Sequence, residues 1–246
     1  MPKLVDYPLT RNFAGIATLQ AAGQVVSGNA FPEGLGNALK IADGCMVATV
    51  AHDDPITALG RRSEITAPAD PREERWYAWE FMIPRQDVSH PFSVMQIHDT
   101  PDLEDAPRYP NFLVTLEGGQ IVISVPSAVL PAQEAYGRRI AIADLEFDRW
   151  YACCLHVKWA IDNTGFREFF LDRVPYLREF GVPTHYDDAV GPYLKLGLYN
   201  FYGSYPAGGF RHVGHFRQAS VWSGNDGYDA VMGAPPLHQR QLLING

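Results

Sequence analysis

The sequence predicts an all-β protein, an antiparallel sandwich, on three observations. The stretch Tyr193-Leu194-Lys195-Leu196-Gly197-Leu198-Tyr199-Asn200 alternates strictly, with Leu194, Leu196 and Leu198 on one face and Tyr193, Lys195, Gly197 and Tyr199 on the other. Successive side chains of a strand point to opposite faces, so this is a half-buried strand with a leucine core face. Phe112–Leu116 and Ile121–Val125 flank Glu117-Gly118-Gly119-Gln120, a strong hairpin signal. The 22 glycines and 19 prolines are scattered as punctuation between short apolar runs, the spacing of a many-stranded sandwich.

Taken in order, an apolar run from Leu39 to Val50 has little helical period and reads as an early strand pair. Arg61–Thr66 follows, then a charged, proline-containing loop over 67–75. Trp76–Ile83 is aromatic-rich and stops at Pro84, as a strand would. Phe92–His98 is the next strand, and the acidic stretch 99–108 reads as a loop. After the hairpin comes a long strand, Trp150–Trp159. Asp162-Asn163-Thr164-Gly165 turns the chain into Phe166–Asp172, and Arg211–Trp222 closes the sheet. Helix signals are weak, with short candidates at Val129–Tyr136 and Tyr176–Phe180. The glycine at 197 leaves room for something to approach the backbone closely.

Composition narrows the classes of function. At 246 residues the chain suits one all-β sandwich, and residues 1–246 are expected to form a single catalytic domain. Hydrophobic content of 46% and charged content of 20% are ordinary for a folded protein. No apolar run approaches the roughly 18 residues of a membrane span. The net charge of −8 and the lack of a basic stripe argue against nucleic acid. The three cysteines show no structural-zinc spacing, and free buried thiols are expected. Cys153 and Cys154 would point to opposite faces of a strand and not bridge each other.

Three strands present polar groups on one side. Gln96 and His98 share a face, an amide beside a titratable base. Arg62 and Glu64 share a face of their strand, and Lys195 and Tyr199 share one of theirs. Together Arg62, Gln96, His98, Lys195 and Tyr199 supply what removal of a proton beside a carboxylate requires. Cations and an amide bind the carboxylate and stabilise the enolate-like charge that develops on it. A base takes the proton and an acid protonates the leaving oxygen.

The segments Arg62-Ser63-Glu64-Ile65, Gln96-Ile97-His98 and Tyr193-Leu194-Lys195-Leu196-Gly197-Leu198-Tyr199-Asn200 resemble, in order and separation, the three signature blocks of jelly-roll polysaccharide lyases. Polysaccharide lyase family 7, the alginate lyases, is most similar by motif, with glucuronan lyase and heparin lyase I more distant. The resemblance implies a β-jelly roll (concanavalin/lectin-like) that cleaves an acidic, uronate-containing polysaccharide such as alginate or glucuronan by β-elimination, with no cofactor required. By position it implies that Arg62 and Gln96 engage the uronate carboxylate and that Tyr199 protonates the glycosidic oxygen. When the C5 proton and leaving oxygen lie on the same side, as in mannuronate or glucuronate, Tyr199 could serve as base and acid. When they lie on opposite sides, as in guluronate, His98 is the natural base. Lys195 could lower the Tyr199 pKa or bind a neighbouring carboxylate. Glu64 is a substrate-binding candidate, and so is His52, because some relatives take their histidine from an earlier strand. Thr66 stands where the alginate lyase block often carries a second arginine, which leaves the polymer open.

Structural calcium could be held by Asp99, Asp102, Glu104 and Asp105, by Asp187 and Asp188, or by Asn225 and Asp226, although none has a recognisable ligand-loop spacing. The aromatic segment 199–205 could stack on sugar rings at the rim of a cleft. The alternative to a lyase is a non-catalytic carbohydrate-binding jelly roll, an adhesin or particle-borne receptor-binding protein. A hydrolase needs two carboxylates across the scissile bond, and only Glu64 is well placed. A polysaccharide substrate implies an extracellular site of action. Residues 1–8 lack the apolar core of a signal peptide, so either that signal precedes this N-terminus or export takes another route.

Overall fold

A computed structural model describes residues 3–6, 25–28, 39–42, 45–54, 56, 60–66, 73–100, 102, 109–125, 138–200 and 209–223. In chain order the strands are β1 (Lys3–Asp6), β2 (Val25–Gly28), β3 (Leu39–Ala42), β4 (Cys45–Ala51), β5 (Arg61–Thr66), β6 (Glu74–Met82), β7 (Phe92–Thr100) and β8 (Phe112–Glu117). They continue as β9 (Gln120–Val125), β10 (Arg138–Asp144), β11 (Trp150–Lys158), β12 (Phe166–Leu171), β13 (Val174–Phe180), β14 (Val190–Asn200) and β15 (Arg211–Ser223). No helix occurs among the described residues.

The strands form two antiparallel sheets. One runs β13-β12-β11-β6-β15-β4-β3, with β1 also paired to β15, and the other runs β10-β9-β8-β7-β14-β5-β2. Alternation explains how they join. Leu194, Leu196 and Leu198 of β14, Met95 and Ile97 of β7 and Ile65 of β5 are buried in the same core as Tyr77, Trp79 and Phe81 of β6. Each such leucine contributes roughly 2 kcal/mol through the apolar area it removes from water. Burying the odd or even set of each strand on the core sends the other set to the outer face. Arg62, Glu64, Gln96, His98, Lys195 and Tyr199 are that other set.

Turn chemistry fixes the hairpins. Gly118 and Gly119 both have positive φ, 58° and 78°, and close β8 onto β9 in two residues. Asp172 and Arg173 do the same for β12 and β13, with φ of 50° and 69° and no glycine. The Asp172 carboxylate anchors that turn, accepting from the Ala152 amide at 2.9 Å and from Arg149 at 2.8 Å. The segment Tyr176–Phe180, expected as a short helix, therefore belongs to strand β13. Its partner strand is supplied by a turn that the usual glycine signal does not mark. The other helix candidate, 129–136, lies outside the described residues.

Gly197 has a φ of 140°, and a Cβ there would stand 2.2 Å from the Ser63 carbonyl oxygen and 2.7 Å from Glu64 Cα. The close approach foreseen at this glycine is thus by strand β5 itself. It sets β5 tightly against β14 at the point where their polar residues meet. The three cysteines are buried thiols outside any disulfide, with Cys153 in the inter-sheet core and Cys154 on the opposite face with Trp76 and Phe170. Burial pushes both thiols well above the usual range, so neither is a reactive thiolate.

Candidate active site

Strand order and register bring the three polar strands side by side, with β14 between β5 and β7. Across β5 and β14, Arg62 pairs with Tyr199, Glu64 with Gly197 and Thr66 with Lys195. Across β14 and β7, Lys195 pairs with Gln96 and Tyr193 with His98. Because paired residues share a face, these side chains form one continuous group on the outer side of the seven-stranded sheet.

Glu64 is the centre of that group and is fully buried, at 0% exposure. Gln96 Nε2 donates to Glu64 Oε1 at 2.5 Å, and Arg62 Nη1 lies 3.7 Å from Glu64 Oε2. Burial pushes the Glu64 carboxyl above the ordinary carboxylate range, against the pull of Lys195, Arg62, the Gln96 hydrogen bond and His98. Glu64, expected as a substrate-binding residue, is the buried partner of Arg62 and Gln96.

Tyr199 is half-buried, and the Arg62 guanidinium carbon sits 4.2 Å over its ring. Burial raises the Tyr199 pKa above the usual phenol value, with Arg62 the main opposing influence and Glu64 adding to the rise. Lys195 is not among the groups that shift it. Lys195 instead lies with Nζ 5.3 Å from the centre of the Tyr193 ring, and its own pKa is lowered by burial and by Arg62. A phenol shifted upward carries its proton at neutral pH, the state of an acid rather than a base.

His98 stands at the other end of the group, its ring stacked on Tyr193 at 5.8 Å and 27°. Its Nδ1 lies 2.8 Å from Asp99 Oδ1 and 3.0 Å from the Asp99 carbonyl oxygen, the carbonyl being the better aligned acceptor. A carbonyl and a carboxylate only accept, so Nδ1 carries a hydrogen, and in the neutral ring Nε2 is the basic nitrogen. Asp99, at the head of an acidic stretch in the sequence, belongs to β7 in the structure. Its adjacency to His98 was the signal available in the sequence.

His52 comes from another element. It lies in the turn after β4, outside the three strands that carry the others, with its ring edge-on to Phe210 at 5.9 Å and its amide donating to the Phe210 carbonyl at 2.9 Å. Among the described residues no group of three His, Cys, Asp or Glu side chains is arranged to hold a metal. Asp102 accepts from the Ala189 amide at 3.1 Å. The calcium candidates Glu104, Asp105, Asn225 and Asp226, and the aromatic segment beyond Asn200, lie outside the described residues.

With this geometry in place, comparison with known families is decisive. A sequence model of the polysaccharide lyases matches residues 42–222, which takes in every strand of the group. The chain belongs to the polysaccharide lyase family. Comparison with curated proteins gives no match. Among solved structures, this lyase is similar to an endo-β-1,4-glucuronan lyase from the fungus Trichoderma reesei, with TM-score 0.61, 18% identity, and 85% of this chain and 89% of that one covered. It is similar to the family 7 alginate lyase A1-II′, with TM-score 0.61 and 16% identity over 77% and 85% of the two chains. It is also similar to an alginate lyase from Pseudomonas aeruginosa, with TM-score 0.60 and 14% identity over 85% and 91%. At these identities the likeness is one of fold, and the two-sheet architecture of this lyase is the β-jelly roll of those proteins.

Proposed function

We propose that this lyase cleaves a uronate-containing polysaccharide of the alginate or glucuronan kind by β-elimination, with His98 as base and Tyr199 as acid. The observation that carries the reading is the placement of the Tyr199 phenol, the His98 imidazole and the cations Arg62 and Lys195 on one face of three adjacent strands. Arg62 and Lys195 flank the uronate carboxylate, with the Gln96 amide beside them. Their charge lowers the cost of the negative charge that builds up when the C5 proton leaves. Glu64, buried between Arg62 and Gln96, holds both in place beneath the carboxylate.

In the step itself the C5–H bond breaks and its proton goes to His98 Nε2. The electron pair forms the C4–C5 double bond, the C4–O bond breaks, and the departing oxygen takes the Tyr199 proton. For Tyr199 to act as both base and acid it would first have to lose its proton, which its buried setting opposes. With His98 as base, the reading points to a uronate whose C5 proton and leaving oxygen lie on opposite sides, as in guluronate. Thr66, paired with Lys195, supplies a hydroxyl where the alginate lyase motif often has a second cation.

Ultraviolet absorbance during incubation with polyguluronate, polymannuronate, glucuronan and a heparin-like glycan tests this. Elimination leaves a double bond conjugated to the carboxylate, and a rise is expected with one of the uronate polymers, polyguluronate first. New reducing ends without ultraviolet absorbance would show hydrolysis and overturn the reading.

A further inference from the structure

We propose that Asp99 is a positioning residue for His98, holding the imidazole in its Nδ1-protonated form and steadying the imidazolium that forms when Nε2 takes the C5 proton. The inference rests on the reading of His98 as base. Four observations support it. Asp99 is the last core-parity residue before the end of β7, and its side chain is fully buried while that of His98 is 23% exposed. Its carboxylate approaches Nδ1 to 2.8 Å from one side, and its own carbonyl accepts from the same nitrogen at 3.0 Å. Tyr193 covers a face of the ring, so the imidazole is held by an edge and a face, with Nε2 on the remaining edge. Neither carboxylate oxygen of Asp99 has a well-aligned hydrogen-bond donor among the described residues.

The ring nitrogen beside it separates this role from a purely structural one. A buried carboxylate that served only to tie the chain together would be saturated with amide or hydroxyl donors. Here the group placed against it is a ring that gains positive charge in the course of the reaction. A carboxylate behind a histidine sets which nitrogen is free and stabilises the charged ring once the proton arrives. Asp99 thus acts through His98 and touches no substrate. A base set in this way serves elimination from the face opposite the leaving oxygen, so Asp99 also bears on which uronate epimer is turned over.

The test has a spectroscopic and a kinetic arm. Long-range proton–nitrogen correlation on the wild-type protein is expected to show His98 as the Nδ1–H tautomer when neutral. In Asp99→Asn, kcat on the polymer that supports wild-type turnover is expected to fall about 10²-fold or more, with KM changed less than about twofold. His98→Gln is run beside it. If His98→Gln is inactive while Asp99→Asn keeps its kcat, the role of Asp99 is overturned and the base assignment stands. If His98→Gln is itself fully active, the base assignment fails. A wild-type His98 in the Nε2–H tautomer overturns the proposal whether or not any variant folds.

Discussion

The Arg62 guanidinium carbon stands 4.2 Å from the centre of the Tyr199 ring, and the two residues are direct partners across β5 and β14. That pairing joins the residue proposed to bind the carboxylate to the one proposed to protonate the leaving oxygen. A planar guanidinium can stack on a ring and still offer its edge to a carboxylate, which an ammonium cannot. In Arg62→Lys, kcat/KM on the preferred polymer is expected to fall by roughly 10²-fold or more. Because Arg62 is the main group lowering the Tyr199 pKa, Arg62→Gln, which removes the charge, is expected to push the phenol further up. Ultraviolet titration of the tyrosines, with Tyr199→Phe to identify the signal, checks the direction.

Glu64 makes a prediction about stability rather than rate. Its folded-state pKa is raised by burial, so between the unfolded and folded values the native state binds more protons than the unfolded chain. The stability this group contributes is therefore present at low pH and is lost as pH rises through the folded value. Glu64→Gln keeps an oxygen for Gln96 to donate to and cannot ionise. Thermal midpoints measured from acid to neutral pH should show the difference between variant and wild type moving in favour of the variant as pH rises.

His212 behaves in the opposite sense. It is 1% exposed, packed against Phe92 at 4.1 Å and Phe210 at 4.9 Å, and neither ring nitrogen has a hydrogen-bond partner among the described residues. Burial, helped by His90, lowers its pKa to about 4. The unfolded chain then binds the extra proton first, so stability is lost as pH falls below the ordinary histidine range. Linkage puts that loss at roughly 2 kcal/mol between pH 7.5 and pH 5. Denaturant unfolding at the two values should show a shallower loss in His212→Phe than in wild type.

Much of this architecture is legible in the sequence because alternation carries it. Arg61–Thr66 is a strand with the same bounds in sequence and structure, and the glycine pair 118–119 marks its hairpin unmistakably. What escapes is the hairpin closed by Asp172 and Arg173. Residues with positive φ and a side chain leave no such mark, and Tyr176–Phe180 in isolation has no strict alternation. The polar face of the site follows from parity alone, since Arg62, Gln96, His98, Lys195 and Tyr199 fall where a period of two puts them. Register does not follow from parity. That Gly197 is filled by the backbone of β5, that Glu64 is sealed beneath Arg62 and Gln96, and that His52 belongs to the other sheet's margin all depend on which strands become neighbours. Asp99 shows the limit in miniature. Its parity puts it on the core face, while its contact is with the residue beside it at the end of the strand.

The most direct test of the central claim is Tyr199→Phe, assayed for binding and turnover on the same polymer. Removing one hydroxyl from a ring held by Arg62 leaves the ring and the cations in place and takes away only the proton to be donated. Calorimetry is expected to show affinity for the preferred uronate oligomer within a few-fold of wild type, while the rise in ultraviolet absorbance falls by about 10²-fold or more. A variant that binds and still eliminates at the wild-type rate would contradict the assignment of Tyr199 as the acid and, with it, the mechanism built on this site.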